Sequence, residues 1–450
     1  MSLSINNTKY ESFHFIGIFG IGMSAIAQYL APSCTISGSD RSLDSSETSD
    51  MQQGLLACGC SLFDQDGSGV SASTSALVIS SAIEATNPDI VAAQKFGIPT
   101  LHRSEVLAAI VAQSDTISVT GTSGKSTVSA LIYHLLDSCG QNPSYISGAK
   151  LHGLQEKGLI GNAYKGEGPL VIEADESDGT VINYHPTLSV LLNISKDHKE
   201  ISEVQALLEQ AATQSKKVLY NGDDQYLTQI TGTSFGLSDT CTIIPSDYGT
   251  DATKSWFTLE GTTFTIPQPG MHTVLNGLAA YGAATEYGCS ASDLVTAFAS
   301  YKGIERRFDH YPSVRGIEVI DDYAHNPEKI AAAITAAQLI SPSVSVLFQP
   351  HGFGPLAFMF EDLIEMFKKV IRPGDTLVIL PVFYAGGTVD RTISSKTLVD
   401  NLTQVSASLK SKEEYLEECS TEKDNAVVLL LGARDPGLPA YAQEIAREIK

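Results

Sequence analysis

Residues 115–136 read DTISVTGTSGKSTVSALIYHLL. The β-branched run at Thr116–Thr120 predicts a strand, the glycines that follow predict a tight turn, and the residues after Lys125 predict a helix. Between strand and helix lie Gly121, Thr122, Ser123, Gly124, Lys125, Ser126 and Thr127, which read as a phosphate-binding loop. Glycines let backbone N–H groups and the helix N-terminus face a polyphosphate, Lys125 offers a point charge, and Ser126 offers a hydroxyl to Mg²⁺. The loop is two residues shorter between its glycines than the common GxxxxGK[ST] form. A plain glycine turn with a solvated lysine is the competing reading, and the strand and helix on either side argue against it. A loop lysine of this kind is expected to add little to the unliganded core.

Downstream, the apolar run PLVI at 169–172 ends in Glu173-Ala174-Asp175-Glu176-Ser177-Asp178, and LSVLLNIS at 188–195 ends in Lys196-Asp197-His198. Acids at the end of a parallel strand sit on the edge where ligands bind, and Mg²⁺ prefers oxygen ligands. Glu173 is therefore a metal candidate. His198 alone would be a surface turn, but its place after the acidic strand end makes it a second candidate. Upstream, FHFIGIFGIGM at 13–23, CTISGSD at 34–40 and SALVISSAI at 75–83 alternate with helix-like stretches, the rhythm of an open α/β sheet. Gly17, Gly20 and Gly22 are spaced GxxGxG rather than GxGxxG, and Ser39-Asp40 follows about twenty residues on, where a dinucleotide-binding fold would hold a ribose. From residue 306 a third unit carries apolar runs within 316–325, 343–351, 375–383 and 426–433, while Thr231–Pro269 reads as short strands or turns.

A chain of 450 residues with 43% hydrophobic and 18% charged residues has material for several cores. A net charge of -22 argues against a nucleic-acid or anionic-membrane surface, so an anionic substrate must be met by local cations and backbone dipoles. No run approaches the roughly 20 apolar residues of a membrane span, and residues 1–11 lack a signal-peptide core, so a cytoplasmic protein is expected. Its seven cysteines, scattered and without CxxC, are expected to be reduced and mostly buried.

The order GTSGKST, EADESD, DH, GMHTVLN at 270–276, ERRFD at 305–309 and DDYAHNP at 321–327 resembles the Mur ligases. GIFGIGM, SGSD, SSAIEATNP, RRFD and FQPH at 348–351 look most like the branch that adds L-alanine to UDP-N-acetylmuramate. The resemblance implies three α/β domains: a Rossmann-like UDP-sugar domain at 1–112, a central P-loop ATPase-like domain at 113–305, and a Rossmann-like amino-acid domain at 306–450. It implies ATP and Mg²⁺, with Lys125 and Ser126 at the phosphates and Glu173 and His198 completing the metal environment. His272 and Asn276 would face the nucleotide, Arg307 and Asp322 would reach it from the third domain, and His325 and Asn326 would lie near the reacting groups, His325 as a possible base. His351 would border the substrate pocket, and the turn at Gly17, Gly20 and Gly22 would meet the uridine diphosphate. Ser39 and Asp40 are further substrate candidates, as are Ser80, Ser81 and Arg103, each of these last three equally readable as a solvated turn.

Some positions depart from the family pattern. Ser126 stands for Thr, Thr273 for the first Asn of HNxxN, Gly352-Phe353-Gly354-Pro355 follows His351 where an arginine is expected, and Arg434-Asp435 replaces a glycine- and asparagine-containing turn. The last two suggest a cosubstrate other than L-alanine, such as another amino acid or the recycled peptide of a murein peptide ligase. Two other classes remain: a non-catalytic regulator binding ATP or UDP-sugar, against which the intact Lys125, Glu173, His198, Arg307 and Asp322 speak, and a nicotinamide oxidoreductase, which leaves the phosphate loop unexplained. Several Mur ligases carry a carbamylated lysine on the helix after DH, yet no lysine lies between Glu200 and Gln214. Activity is therefore expected to be indifferent to added bicarbonate, and a strong stimulation in a bicarbonate titration would contradict this.

Overall fold

Aliphatic and β-branched runs buried on both faces build three open sheets, as parallel strands covered by helices require. A computed structural model describes residues 2–449 except 44, 46–48, 178, 197–198, 314, 385, 387–390 and 421–425. One compact unit comprises residues 1–246, 258–264 and 275–304; the other comprises 247–257, 265–274 and 305–450.

In the first unit, β1 (Ser12–Ile16) and β2 (Thr35–Ser39) lie in an all-parallel sheet of order Ser61–Phe63, β2, β1, Ala76–Ile79, Thr100–His102. Strand order reverses beside β1, so its C-terminal end and that of Ala76–Ile79 flank the crevice where such folds bind ligands. Helix α1 (Ile21–Leu30) follows β1. The central sheet contains β3 (Thr116–Thr120), β4 (Ser144–Ile146), β5 (Ala163–Tyr164), β6 (Leu170–Glu173) and β7 (Leu188–Leu191). Its order is β5-β4-β6-β3-β7, then Lys217–Asn221 and Thr233–Phe235. Glu173 pairs with Val119, and Leu191 with Thr120, so β6, β3 and β7 end in one row.

Helix α2 (Lys125–Ser138) starts where β3 ends and buries Val128, Leu131, Ile132, Leu135 and Leu136, an i, i+3, i+4 stripe. One core joins Phe13, Ile26 and Val106 of the N-terminal sheet to Ile146, Ala163 and Ile172 of the central one. The expected first and second domains thus share buried apolar surface within one unit. Within the segment expected as short strands or turns, Asp247–Thr250, Ser255–Leu259 and Thr262–Ile266 form a three-stranded sheet. Helix α3 (Met271–Glu286) follows it.

In the second unit, Asp309–Pro312 runs antiparallel to β8 (Glu318–Asp322). Then come β10 (Val427–Gly432), β9 (Val344–Gln349), Thr376–Ile379 and Ala407–Leu409, all parallel. The last strand is inserted between the first two of the α/β wind. Asp322 pairs with Leu431 and Gln349 with Gly432, which brings the ends of β8, β10 and β9 to one edge. Helix α4 (Pro327–Ile340) leaves that edge.

Before β8 the backbone is strained: Arg306 and Phe308 have φ of 61° and 52°, left-handed values that cost non-glycine residues about 1–3 kcal/mol each. Specific bonds hold them there. Arg306 donates from Nε to Asp321 Oδ2 at 3.0 Å and from Nη2 to the Gly432 carbonyl at 2.8 Å, while Asp322 Oδ2 accepts from the Phe308 N–H at 2.8 Å. Burial pushes the Asp321 carboxyl up to about 6, and Arg306 only partly offsets it. A carboxyl raised in the folded state binds more protons than in the unfolded chain between pH 3.8 and about 6, so its contribution to stability falls as pH rises through that window. Urea unfolding of the Asp321→Asn variant should therefore lose this fall relative to wild type; parallel pH profiles for the two proteins would contradict the assignment.

Candidate active site

The phosphate loop is built on the ends of β3 and β7. Gly121 has φ of 136°, and a Cβ there would come within 2.9 Å of the Asn193 backbone nitrogen, so glycine is required on both counts. Asn193, which ends the apolar run of β7, accepts from the Ser123 N–H at 2.8 Å, donates to the Ser123 carbonyl at 2.9 Å, and receives the Thr122 N–H on its own carbonyl at 3.0 Å. Thr122 is 2% exposed and exchanges bonds with the Ser195 backbone, so it braces the loop from inside. Gly124, with φ of 90°, opens α2 without a side-chain cap, leaving the helix N-terminus to an anion. The buried hydroxyls of Ser123 and Ser195 have no hydrogen-bond partner among the described residues. A cradle with orphaned polar groups, an uncapped helix and an adjacent lysine fits a polyphosphate.

Lys125 is not the loosely held loop lysine expected from sequence. Its side chain is 13% exposed, and its ammonium donates to Glu176 at 2.8 Å and to the Gly121 carbonyl at 2.9 Å, with Asp175 at 3.5 Å. Burial pulls the ammonium down, but Glu176, Asp175 and Glu173 outweigh it and hold Lys125 above its ordinary value. Burial pushes Glu176 up, and Lys125 only partly offsets that. The lysine thus belongs to a buried ionic cluster, and its loss would leave Glu176 uncompensated.

Ser126 donates to Glu173 Oε1 at 2.9 Å, and Glu173 Oε2 accepts from Ser147 Oγ at 3.0 Å and the Gly148 N–H at 2.9 Å. A hydroxyl and an aimed carboxylate at the strand edge are hard oxygen donors of the kind Mg²⁺ takes alongside phosphate oxygens and waters. His198 lies outside the described residues. Thr127 is in the first turn of α2, and Asn276, on α3, packs on the loop, for a Cβ on Gly124 would meet its Oδ1 at 3.0 Å. His272 is exposed in the first turn of α3.

At the N-terminal turn, Gly17 (φ 73°) and Ile18 donate to the Ser39 carbonyl at 2.8 and 3.1 Å. Asp40 accepts from the Phe19 N–H at 3.0 Å. Ser39 was expected to face substrate, but its side chain is fully buried and donates to Asp89 at 2.5 Å. The pleat turns it into the core, where it steadies the turn. Gly20 starts α1 with no side-chain cap and no acid in the first turn, and a Cβ on Gly22 would approach Arg103 Nη1 to 2.9 Å. Uncapped N–H groups beside a guanidinium suit a diphosphate. Ser80 and Ser81 follow Ala76–Ile79 across the crevice, Ser80 accepting the Ile83 N–H on its carbonyl at 3.1 Å.

On the edge of the second unit, Arg307 stacks its guanidinium 5.2 Å from the Tyr323 ring centre. Both Asp322 oxygens hold backbone, of Phe308 and of Ala324 at 2.7 Å. Asn326, expected near the reacting groups, caps α4 by accepting from the Lys329 N–H at 3.0 Å and is 1% exposed. His325 and His351 meet edge to face at 4.9 Å. Since a carbonyl only accepts, the 2.9 Å contact with Tyr323 puts the proton of neutral His325 on Nδ1, leaving the lone pair on Nε2. The Arg434-Asp435 turn, whose departure from the family pattern suggested another cosubstrate, adds less net charge than its sequence implies. Asp435 is 7% exposed and accepts from Lys412 at 2.7 Å and from the Gly437 N–H at 2.9 Å, so its charge is internally matched.

Residues 12–115, 119–284 and 306–434 match, respectively, the Mur ligase family catalytic domain, the Mur ligase middle domain and the Mur ligase glutamate ligase domain. A UDP-N-acetylmuramate–L-alanine ligase from a Synechococcus species is 31% identical over 470 aligned positions, covering 97% of this chain and 96% of that one. The enzyme of the same name from Renibacterium salmoninarum is 33% identical over 407, covering 86% and 84%. Among solved structures, the UDP-N-acetylmuramate–alanine ligase of Thermotoga maritima superposes with a TM-score of 0.78 at 23% identity, covering 96% of this chain and 98% of that one. With three successive domain matches and near full-length relatives, the chain belongs to the Mur ligase family, the ATP-dependent ligases that form C–N bonds.

Proposed function

We propose that the protein joins the carboxylate of UDP-N-acetylmuramate, or a closely similar UDP-sugar acid, to an amino acid through an acyl phosphate, in cytoplasmic peptidoglycan precursor synthesis. L-Alanine is the default amine, in keeping with the names of its relatives. The observation that carries this reading is the Lys125 ammonium beside the uncapped helix, with Ser126 and Glu173 at the same strand edge.

A carboxylate does not accept an amine in water, so it must first take a phosphoryl group and thereby gain a leaving group. Catalysis of that transfer is mostly position and positive electrostatics. Lys125 and the N–H groups of the loop would hold the phosphates of ATP, and Ser126, Glu173 and His198 would hold Mg²⁺. When bound, the metal supplies charge neutralisation at the phosphate oxygens. The N-terminal turn with Arg103 would bind the diphosphate of the sugar acid, and Arg307 and Asp322 are assigned to the nucleotide by family resemblance. His325, through Nε2, would accept the proton from the attacking amine.

A different amine is favoured by one observation: Gly352 (φ 131°) and Gly354 carry no side chain just after His351, and, its chain neighbours and own helix apart, no described residue lies within 4 Å of where a Cβ on Gly354 would stand. The experiment is phosphate release with ATP, UDP-N-acetylmuramate and, separately, L-alanine, other amino acids and a cell-wall peptide. Amine-dependent release is expected, and a sugar that binds without supporting release from any amine would favour a regulator. Lys125→Ala combined with Glu176→Gln, which avoids an unpaired buried carboxylate, should lower kcat by roughly 100-fold or more. Turnover at the wild-type rate in that variant would remove the phosphate-loop assignment.

A further inference from the structure

Asn162 is fully buried where the N-terminal and central sheets of the first unit share their core, and its side-chain amide is fully engaged. Nδ2 donates to the Ile21 carbonyl at 2.8 Å and to Ser24 Oγ at 3.0 Å, and Oδ1 accepts from Gln28 Nε2 at 2.8 Å. All three partners lie on α1. Ser24 also donates to the Ile21 carbonyl at 3.0 Å, and Gln28 to the Ser24 carbonyl at 2.9 Å, so amide and helix form a closed network.

From the other side, Asn162 immediately precedes β5, and its carbonyl accepts from the Ser147 N–H at 3.0 Å. Ser147 Oγ in turn donates to Glu173, and the next residue, Gly148, gives Glu173 its N–H. One residue thus bonds directly to the first turn of the helix behind the Gly17–Gly22 turn and, through Ser147, to the carboxylate beside Ser126. Gly161 sets its approach, with φ of 106° and a carbonyl that receives the Leu151 N–H at 2.9 Å.

The apolar core around this joint supplies area but no register, because hydrophobic contact is non-directional. Three directed bonds spread over two turns of one helix do supply register. Removing them would take the buried partner from one Gln28 amide hydrogen and from the Ser24 hydroxyl oxygen, which the remaining bonds within α1 do not replace. Phosphoryl transfer to the sugar carboxylate needs the two reacting groups within about 3–3.5 Å and aligned, and a misplacement of about 1 Å costs roughly 100-fold in rate.

We propose that Asn162 is a positioning residue for acyl-phosphate formation: its amide locks the sugar-diphosphate turn at α1 to the strand pair that aims Glu173. The inference rests on the substrate reading above. It predicts a particular signature, in which each ligand site stays intact while the rate of joining them falls.

The test uses the full chain with Asn162→Leu, close in size and without hydrogen bonds, and Ser24→Ala, which removes one of the three bonds to Asn162 together with the Ser24 hydroxyl's own bond to the Ile21 carbonyl. Calorimetry with Mg·ADP and separately with UDP-N-acetylmuramate should give one site per chain and dissociation constants within about threefold of wild type, while kcat falls roughly 10- to 100-fold for Asn162→Leu. Ser24→Ala should lower kcat by about three- to tenfold with the same binding behaviour, and it decides the matter if Asn162→Leu does not fold. A kcat within about threefold of wild type in the folded Leu variant, or binding stoichiometry falling in proportion to kcat, overturns the positioning role. Wild-type protein that releases no phosphate with any UDP-sugar acid overturns the substrate reading and this inference together, whereas the variants overturn the inference alone.

Discussion

A single ammonium set among carboxylates organises the ATP half of this molecule. Glu176, Asp175 and Glu173 hold Lys125 in its charged form in a nearly closed environment, and Lys125 in turn partly offsets the burial of Glu176. Near a protein surface such a pair at 4 Å is worth about 4 kcal/mol of attraction before desolvation is counted. The arrangement restricts what can bind. A polyphosphate competes with Glu176 for the same ammonium and brings its own negative charge toward three carboxylates. Alone it would be repelled; accompanied by a divalent cation it would not. On the proposed function, the charge count around this one lysine would favour a metal-complexed nucleotide over a bare one. Glu176, already pushed up by burial, would lose its nearest cation in the exchange.

The backbone around that lysine is held by polar side chains rather than by apolar packing, and this explains several residues beyond the loop itself. Asn193 ties both faces of Ser123 from the neighbouring strand, and Thr122 closes the other side against Ser195. A loop fixed in this way keeps its N–H groups pointed outward before any ligand arrives, so little reorganisation is needed on binding. Glu173 is treated likewise, with three donors on its two oxygens. The N-terminal turn repeats the pattern, with the Ser39 carbonyl and the Asp40 carboxylate taking its first N–H groups.

How much of this could be read from sequence depends on how local each signal is. The phosphate loop, the acidic strand end and the two glycine turns were legible because φ requirements and strand-to-helix transitions are written within a few residues. Ser39 was misread because its position along the chain matches that of a ribose contact, whereas the strand pleat, fixed only by pairing with β1, points it at Asp89. Asn326 is a cap, a role its place before Pro327 does signal. Asn193, Asn162 and Gln28 carry no local mark at all. Their meaning lies in partners 70 and 134 positions away, as the Ser123–Asn193 and Gln28–Asn162 bonds show.

The second unit poses a different question, because what distinguishes it from its family is a redistribution of charge along one strand edge. The arginine expected after His351 is replaced by glycine, yet Phe353, one residue further on, packs against Tyr384, and Arg391 lies over both rings at 5.3 and 4.7 Å. The acid that replaces the usual turn, Asp435, is neutralised from within by Lys412. Among the described residues, Arg434, exposed and at φ 66°, and Arg391 join Arg307 as cations of this edge, beside two histidines that touch one another. In a chain of net charge -22, a local cationic edge of this kind runs against the background. On the proposed function, such an edge would suit an amine that also carries a carboxylate.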